Sequence, residues 1–264
     1  MKKVLIIFII TVATLLIIAA GFVANALFGN PISMMIVENS AKGYLEENYN
    51  DTDYRISEIA HSFKDGYYHA SITSESSIDT HFTVVFNGFG RLIRDNYDYV
   101  TSGWNTAMRL DNDYRSLARA IFDNNGFTYE VCFGEIVFTT EEYENDPYTL
   151  SYALVTNELI IDGAYDVNEL GKRAGKLTVC VRDVDPTAEN MAETLLAIRE
   201  TFDREGLSFF AIDCILESSR EDEEDFLVRD FLYSDITEEG LCERVTEAYE
   251  AFKKLQYEKE NEIE

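Results

Sequence analysis

Residues 177–216 read LTVCVRDVDPTAENMAETLLAIRETFDREGLSFFAIDCIL, and they decide the fold class. Leu177 to Val181 is a β-branched apolar run. Asp185 stands where a helix cap belongs, with Pro186 at the first helical position, where a missing N–H costs nothing. Met191, Leu195, Ile198 and Phe202 recur at helical spacing, and Gly206 supplies the stop. Leu207 to Leu216 is then a nearly continuous apolar strand. Strand, helix and strand in this order predict a β-α-β unit with parallel strands.

An acidic loop at 217–225 leads to a strand from Phe226 to Tyr233. Asp235 and Glu238 form a capping box for a last helix, striped by Leu241, Val245, Ala248, Phe252 and Leu255. Upstream, Val167 to Ala174 reads as a short helix and Leu159-Ile160-Ile161 as a short strand. Phe127 to Phe138 supplies the strand that the order β-α-β-β-α lacks for a ferredoxin-like sheet.

The first half reads differently. Ser33 caps a helix running to about Tyr49, with Met34, Val37, Ala41 and Tyr44 on one stripe. Strand-like pieces follow at 54–63, 67–74, 81–87 and 91–95, with Lys64-Asp65-Gly66 as a hairpin turn. A long helix to Phe122 carries Val100, Trp104, Met108, Leu117 and Ile121. Asp123-Asn124-Asn125-Gly126 ends it and marks a boundary. The chain is thus α+β throughout: residues 1–28 an anchor, 29–125 a first domain and 126–264 a second. Residues 127–264 are expected to fold alone.

The anchor is the run VLIIFIITVATLLIIAAGFVA from Val4 to Ala24, which contains no charge. As a helix it spans about 31 Å, enough for a hydrocarbon core of ~30 Å. Lys2 and Lys3 precede it, and no basic residue follows until Lys42. The positive-inside bias puts the N-terminus in the cytoplasm and everything after Phe28 outside. Ala24-Asn25-Ala26 also matches a small-x-small cleavage site, so a cleaved signal peptide is the competing reading. The run exceeds the ~7–15 residues of a signal core, which favours a retained anchor.

Net charge is −27, and without Lys2 and Lys3 the outer part carries −29. Such a field repels nucleic acid and anionic lipid headgroups, and it would attract cations, basic peptides or cationic envelope polymers, with solubility outside the cell as its ordinary role. Hydrophobic content of 46% is enough for real cores, so the outer part is not disordered. Cys132, Cys180, Cys214 and Cys242 are spaced too far apart for a zinc or redox motif; the first three sit in apolar strands and read as small hydrophobes, with a disulfide of unassigned pairing in an oxidising compartment as the alternative.

Gly29-Asn30-Pro31-Ile32, Tyr44-Leu45, Asp79 with Phe82, Asp95 with Tyr97, and Asn105-Thr106 with Arg109 and Tyr114, all behind a membrane run, resemble the YfjL-like proteins. The resemblance covers residues 1–122 and extends more loosely through Asp162-Gly163-x-Tyr165-Asp166. It implies a membrane-anchored protein of Gram-positive bacteria with a PepSY-like first domain, a helix followed by an antiparallel sheet. It brings no catalytic residues with it.

Candidate chemistry is sparse. His61, His69 and His81 lie close in sequence. A three-residue hairpin loop would pair His61 with His69 on one face, and a two-residue loop would put them on opposite faces. Ordinary strand histidines are the expectation. Asp79 and Asp95 flank one strand and would serve acid–base chemistry if they converged, with Arg109 as a helix-borne partner. Turn or helix capping is the preferred role for Asp95. Asp213 interrupts a buried strand and needs a partner or a site, unless it points to a wet face near the strand end. Gly88-Phe89-Gly90 lacks the third glycine of a dinucleotide loop, and Asp51-x-Asp53, Asp111-x-Asp113 and Asp183-x-Asp185 lack the rest of a calcium loop. No metal and no cofactor is expected. The functional expectation is a non-enzymatic envelope module that binds a protein, peptide or cationic polymer, against a carboxylate hydrolase as the alternative.

Overall fold

The computed structural model describes residues 2–127, 129, 131–182, 184–218, 220 and 224–262. The chain folds as two compact units, Met1–Asn105 and Thr106–Glu264.

The first unit opens with α1, Lys2–Phe28, whose described side chains are all exposed. Thr11 and Thr14 donate their hydroxyls to the carbonyls of Ile7 and Ile10, so neither leaves a polar group unsatisfied on an apolar helix. Among the described residues one helical stretch is long and apolar enough to cross a membrane. Gly29 (φ 70°) ends α1, and α2 runs from Pro31 to Asn48. Asn30, not Ser33, is its cap: the Asn30 side chain accepts the Ser33 N–H at 2.8 Å, and Pro31 fills the first position. Proline suits that position because its φ is already helical, and this sets the helix start ahead of Ser33.

Val37 and Ala41 of α2 press onto a four-stranded antiparallel sheet in the order β1-β2-β3-β4 (Arg55–His61, Tyr68–Thr73, His81–Phe86, Leu92–Asp95). Its helix-facing side carries Tyr68, Ala70, Ile72, Phe82, Val84 and Phe86. The rings of Tyr49, Tyr54 and Tyr97 close around Phe82, with centroids 5.0 to 5.6 Å from it. The expected long helix is broken. A single turn, α3 (Asp98–Thr101), precedes Gly103 (φ 73°), and α4 runs from Trp104 to Asn124.

In the second unit α4 supplies a stripe of Leu110, Tyr114, Ala118 and Phe122, all essentially inaccessible, with Ile121 beside it. Leu117 is 48% exposed. The buried stripe is therefore rotated round the helix from the expected one through Trp104, Met108 and Leu117. The sheet has the order β10-β9-β8-β5, from β5 (Val131–Ile136), β8 (Gly175–Val181), β9 (Ala211–Leu216) and β10 (Phe226–Leu232). Strands β8 and β9 are parallel neighbours, the other pairs are antiparallel, and β5 takes the place expected for the 127–138 segment. Between β5 and β8 lie a two-residue parallel pair, β6 (Phe138–Thr139) with β7 (Leu154–Val155), and α5 (Val167–Ala174), capped by Asp166. The connecting α6 (Ala188–Glu205) and the last helix α7 (Leu241–Glu262) join α4 in one core with Leu177, Val179, Ile212 and Val228.

Local signals are displaced at three points. Thr187 rather than Asp185 caps α6, because its hydroxyl takes the Asn190 N–H at 3.2 Å while Asp185 and Pro186 form the lead-in. Asp235 lies in a 3-10 turn and α7 starts later, at Leu241, after Gly240 (φ 70°). Leu159-Ile160-Ile161 is no strand: Leu159 closes a 3-10 turn, and the strand of that region is β7. The Asp183 half of Asp183-x-Asp185 and part of the 217–225 loop lie outside the described residues.

Candidate functional site

Two arrangements stand out. The first is on the sheet face of the second unit opposite its helices. Direct pairing puts Glu135 beside Lys176 and Thr178 beside Asp213 on that face. The Lys176 ammonium lies 3.0 Å from Asp213 and 2.8 Å from Asp230. Asp213 also accepts the Asp230 N–H at 2.7 Å, and the Tyr152 hydroxyl donates to Asp230 at 2.7 Å. Asp230 reaches this position through a bulge in β10, where its φ is 46°, a left-handed value that Asp tolerates better than most residues. The anomaly at Asp213 is thus resolved by a lysine one strand away.

Burial works against the charge on Lys176, but its two carboxylate hydrogen bonds win and raise its pKa. Burial likewise opposes ionisation of Asp230, and the hydrogen bonds from Lys176 and Tyr152 outweigh it, lowering its pKa. Glu135 is different: burial and the nearby Asp111 raise its pKa, with Arg115 and Lys176 only partly offsetting them. An ammonium held between two carboxylates stays protonated, so Lys176 is no nucleophile. The cluster is an ion network that ties β8, β9 and β10 together.

The second arrangement is an open groove of about 690 Å³ in the first unit, between α2 and β1. Its apolar lining is Met34, Met35, Leu45, Ile56 and Ile59. β1 is the outer strand of its sheet, so its far side is a pairing edge. Lys42 is paired with Glu38 at 2.6 Å and Arg55 with Glu75 at 2.6 Å, while Glu46 and Glu58 add two further carboxylates to the lining. The lining is largely apolar, with three carboxylates, Glu38, Glu46 and Glu58, against Lys42 and Arg55, both already ion-paired.

The residues singled out in the sequence are dispersed. Asp95 faces α2: it accepts the Tyr44 hydroxyl and, at 3.1 Å, the Tyr97 N–H, tightening the turn into α3. Burial and that bond to Asp95 push the Tyr44 hydroxyl pKa well up. Asp79 is buried before β3, where its backbone carbonyl accepts the Asn105 amide at 2.9 Å. Asp95 pairs with Val84, three residues or about 10 Å along β3 from His81, and Asp79 lies beyond His81. Arg109 belongs to the second unit and donates to the Gly163 carbonyl at 3.0 Å. His61 pairs with Tyr68 and His69 with Ala60, so the two histidines face opposite sides. Among the described residues no group of His, Cys, Asp or Glu is arranged to hold a metal. Two of the aspartate pairs serve the backbone: Asp53 accepts the N–H groups of Glu75 and Ser76, and Asp111 that of Ile136. Among the described residues no disulfide is formed, and burial pushes the Cys214 thiol up to about 12.

Sequence reasoning missed Lys176, Asp230, Tyr152 and the groove. One signal was present: Lys176 and Thr178 alternate with Leu177 and Val179, which marks a strand with one uncovered face. Without the register of β8 against β9 and β10, that alternation names no partner for Asp213.

No curated protein and no solved structure matches the chain. The family model described as the YfjL-like N-terminal domain matches residues 1–96, and that of the YfjL-like C-terminal domain matches residues 128–246. These two matches cover most of the chain, which belongs to the YfjL-like family.

Proposed function

We propose that the chain is a membrane-anchored extracytoplasmic binding module whose first unit takes a cationic, partly apolar peptide in the groove beside β1. The observation that carries the reading is the groove itself, a largely apolar lining whose two cations are ion-paired and which keeps Glu46 and Glu58, beside an outer strand. An extended peptide laid there would hydrogen-bond to the edge and place alternate side chains on the floor. The exposed apolar α1 supports anchoring through residues 4–24, with the N-terminus in the cytoplasm. The helix-then-sheet order of the first unit agrees with a PepSY-like assignment. In the second unit the parallel strands are direct neighbours, whereas a split β-α-β has another strand between them, and this weighs against a ferredoxin-like assignment. The hydrolase alternative has little support, since Asp95 is engaged by Tyr44 and Tyr97 and lies far along the strand from Asp79.

Binding is tested with a peptide of alternating Lys and Leu, titrated against the purified protein. It should bind, and Ile59→Lys should weaken it by about tenfold or more, since an apolar contact is replaced by a charge that repels the peptide. Equal affinities for the two proteins would remove the groove as the site. For topology, protease added to intact protoplasts should degrade the outer units while a tag placed before Met1 stays protected. Protection of both ends would reverse the orientation, and release with a new N-terminus at Leu27 would establish a cleaved signal.

A further inference from the structure

The register of the first sheet gathers three features at one end. His61 pairs with Tyr68, and Tyr68 with Phe86, so the β1–β2 loop (62–67) and the β3–β4 loop (87–91) project from the same edge. The chain leaves α1 at that same end. A side chain at Gly29 would strike the Tyr68 hydroxyl at 2.7 Å and His61 at 2.8 Å, and the Asn30 N–H donates to the Tyr68 hydroxyl at 3.0 Å. One at Gly88, in the second loop, would lie 3.1 Å from the hydroxyl of Ser33, in the first turn of α2. Both hairpin tips therefore flank the point where the apolar helix ends.

Each tip shows an aromatic ring to solvent. Phe63 is 65% exposed and Phe89 is 89% exposed, and Ile32 beside the junction is 72% exposed. The tips are held in shape. The Asn87 side chain accepts the N–H groups of Phe89 and Arg91, each at 3.0 Å, and in the other loop the Ser62 N–H donates to the Tyr67 carbonyl at 2.9 Å. Their charge is also out of character. The two loops carry Lys64 and Arg91 against one acid, Asp65, in a chain whose outer part is −29. Asp65 is already engaged: it accepts the Tyr67 N–H at 3.0 Å and pairs with His69 at 3.1 Å. Exposed single hydrophobes are ordinary, but two phenylalanines on fixed turns, each with a neighbouring cation, beside a membrane helix form an interfacial pattern.

We propose that the first unit rests on the bilayer through these two tips, with Phe63 and Phe89 in the headgroup layer and Lys64 and Arg91 against anionic lipid phosphates. This inference relies on α1 spanning the membrane. The acidic far end of the same sheet is kept off the anionic surface by this arrangement, because Asp53 and Glu75 lie at the opposite edge.

The test uses the full chain with Trp104→Phe, reconstituted in vesicles of phosphatidylcholine and phosphatidylglycerol brominated near the headgroup. Single tryptophans are introduced as Phe63→Trp, Phe89→Trp, Ser76→Trp at the far end, and Phe22→Trp in α1. Quenching at 63 and 89 by about twofold, with none at 76, is expected. It should weaken in pure phosphatidylcholine; equal quenching there would overturn the choice of an anionic leaflet. Quenching at 22 with positions 63 and 89 no different from 76 would overturn the inference while leaving the anchor intact. Absence of quenching at 22 would remove the spanning reading and the inference with it.

Discussion

A fragment of residues 127–264 should stay unfolded or aggregate, whereas residues 104–264 should unfold in one cooperative transition. The difference is α4. Leu110, Tyr114 and Phe122 are buried in the core of the second unit, and each large apolar side chain so buried contributes about 1.5–3 kcal/mol. Their loss together is about 5–9 kcal/mol, comparable with the ~5–15 kcal/mol stability of a whole domain. The fit around Tyr114 is close. A methyl group at Gly134 would lie 3.0 Å from its ring and 2.7 Å from Ala118, and one at Gly171 would lie 2.6 Å from the ring and nearer still to the Ser208 carbonyl. The Tyr114 hydroxyl donates to that same carbonyl at 2.9 Å. Removing α4 therefore opens a cavity lined by glycine backbone, which has no side chains to collapse into it. Urea unfolding followed by circular dichroism distinguishes the fragments, and a cooperative transition for 127–264 would show that the second core does without α4.

Replacing Lys176 by Met should cost about 2–3 kcal/mol at neutral pH, because it leaves Asp213 and Asp230 facing each other without a cation. The figure sits below the ~3–5 kcal/mol of a fully broken buried pair, since the Asp230 side chain is 39% exposed and water screens it. The pH dependence follows from the shifts. The lowered pKa of Asp230 gives stability that is present above the ordinary carboxylate range and lost as pH falls through the folded value. The raised pKa of Lys176 gives stability that is present below its ordinary value and lost as pH rises through the folded one. The gap between the two proteins should thus be widest between about pH 5 and pH 10 and narrow on either side. Glu135 acts the other way. Its raised pKa removes stability as pH climbs past the carboxylate range, and losing Lys176 deepens that loss. Adding Asp230→Asn to Lys176→Met should restore part of the difference. A change below about 0.5 kcal/mol on Lys176→Met would mean that the network does not hold the strands together.

Much of the fold was readable because it rests on local patterns. The helical spacing of Met191, Leu195, Ile198 and Phe202 does correspond to α6, and the two apolar runs around it are the parallel strands β8 and β9. Val37 and Ala41 are the buried stripe of α2. Caps were less legible, since Asn30 and Ser33, or Asp185 and Thr187, are chemically similar candidates within one turn of each other. The choice depends on which backbone N–H groups point back at them.

Local sequence patterns were enough for the apolar helix, the α+β class, the strand pairing expected of a β-α-β unit and the choice at Asp213 between a partner and a wet face. Each follows from period, turn chemistry or the cost of burying a charge, and all of these act between residues near in sequence or within one side chain. Contacts made only on folding set the split of the long helix at Gly103 and the place of α4 in the second core. They also decided that Lys176 answers Asp213, and that both hairpin tips stand beside the end of α1. Most of these are contacts between residues separated by tens of positions. Their geometry is fixed by strand register and by which face of each element is covered, and neither is encoded in any short stretch of the chain.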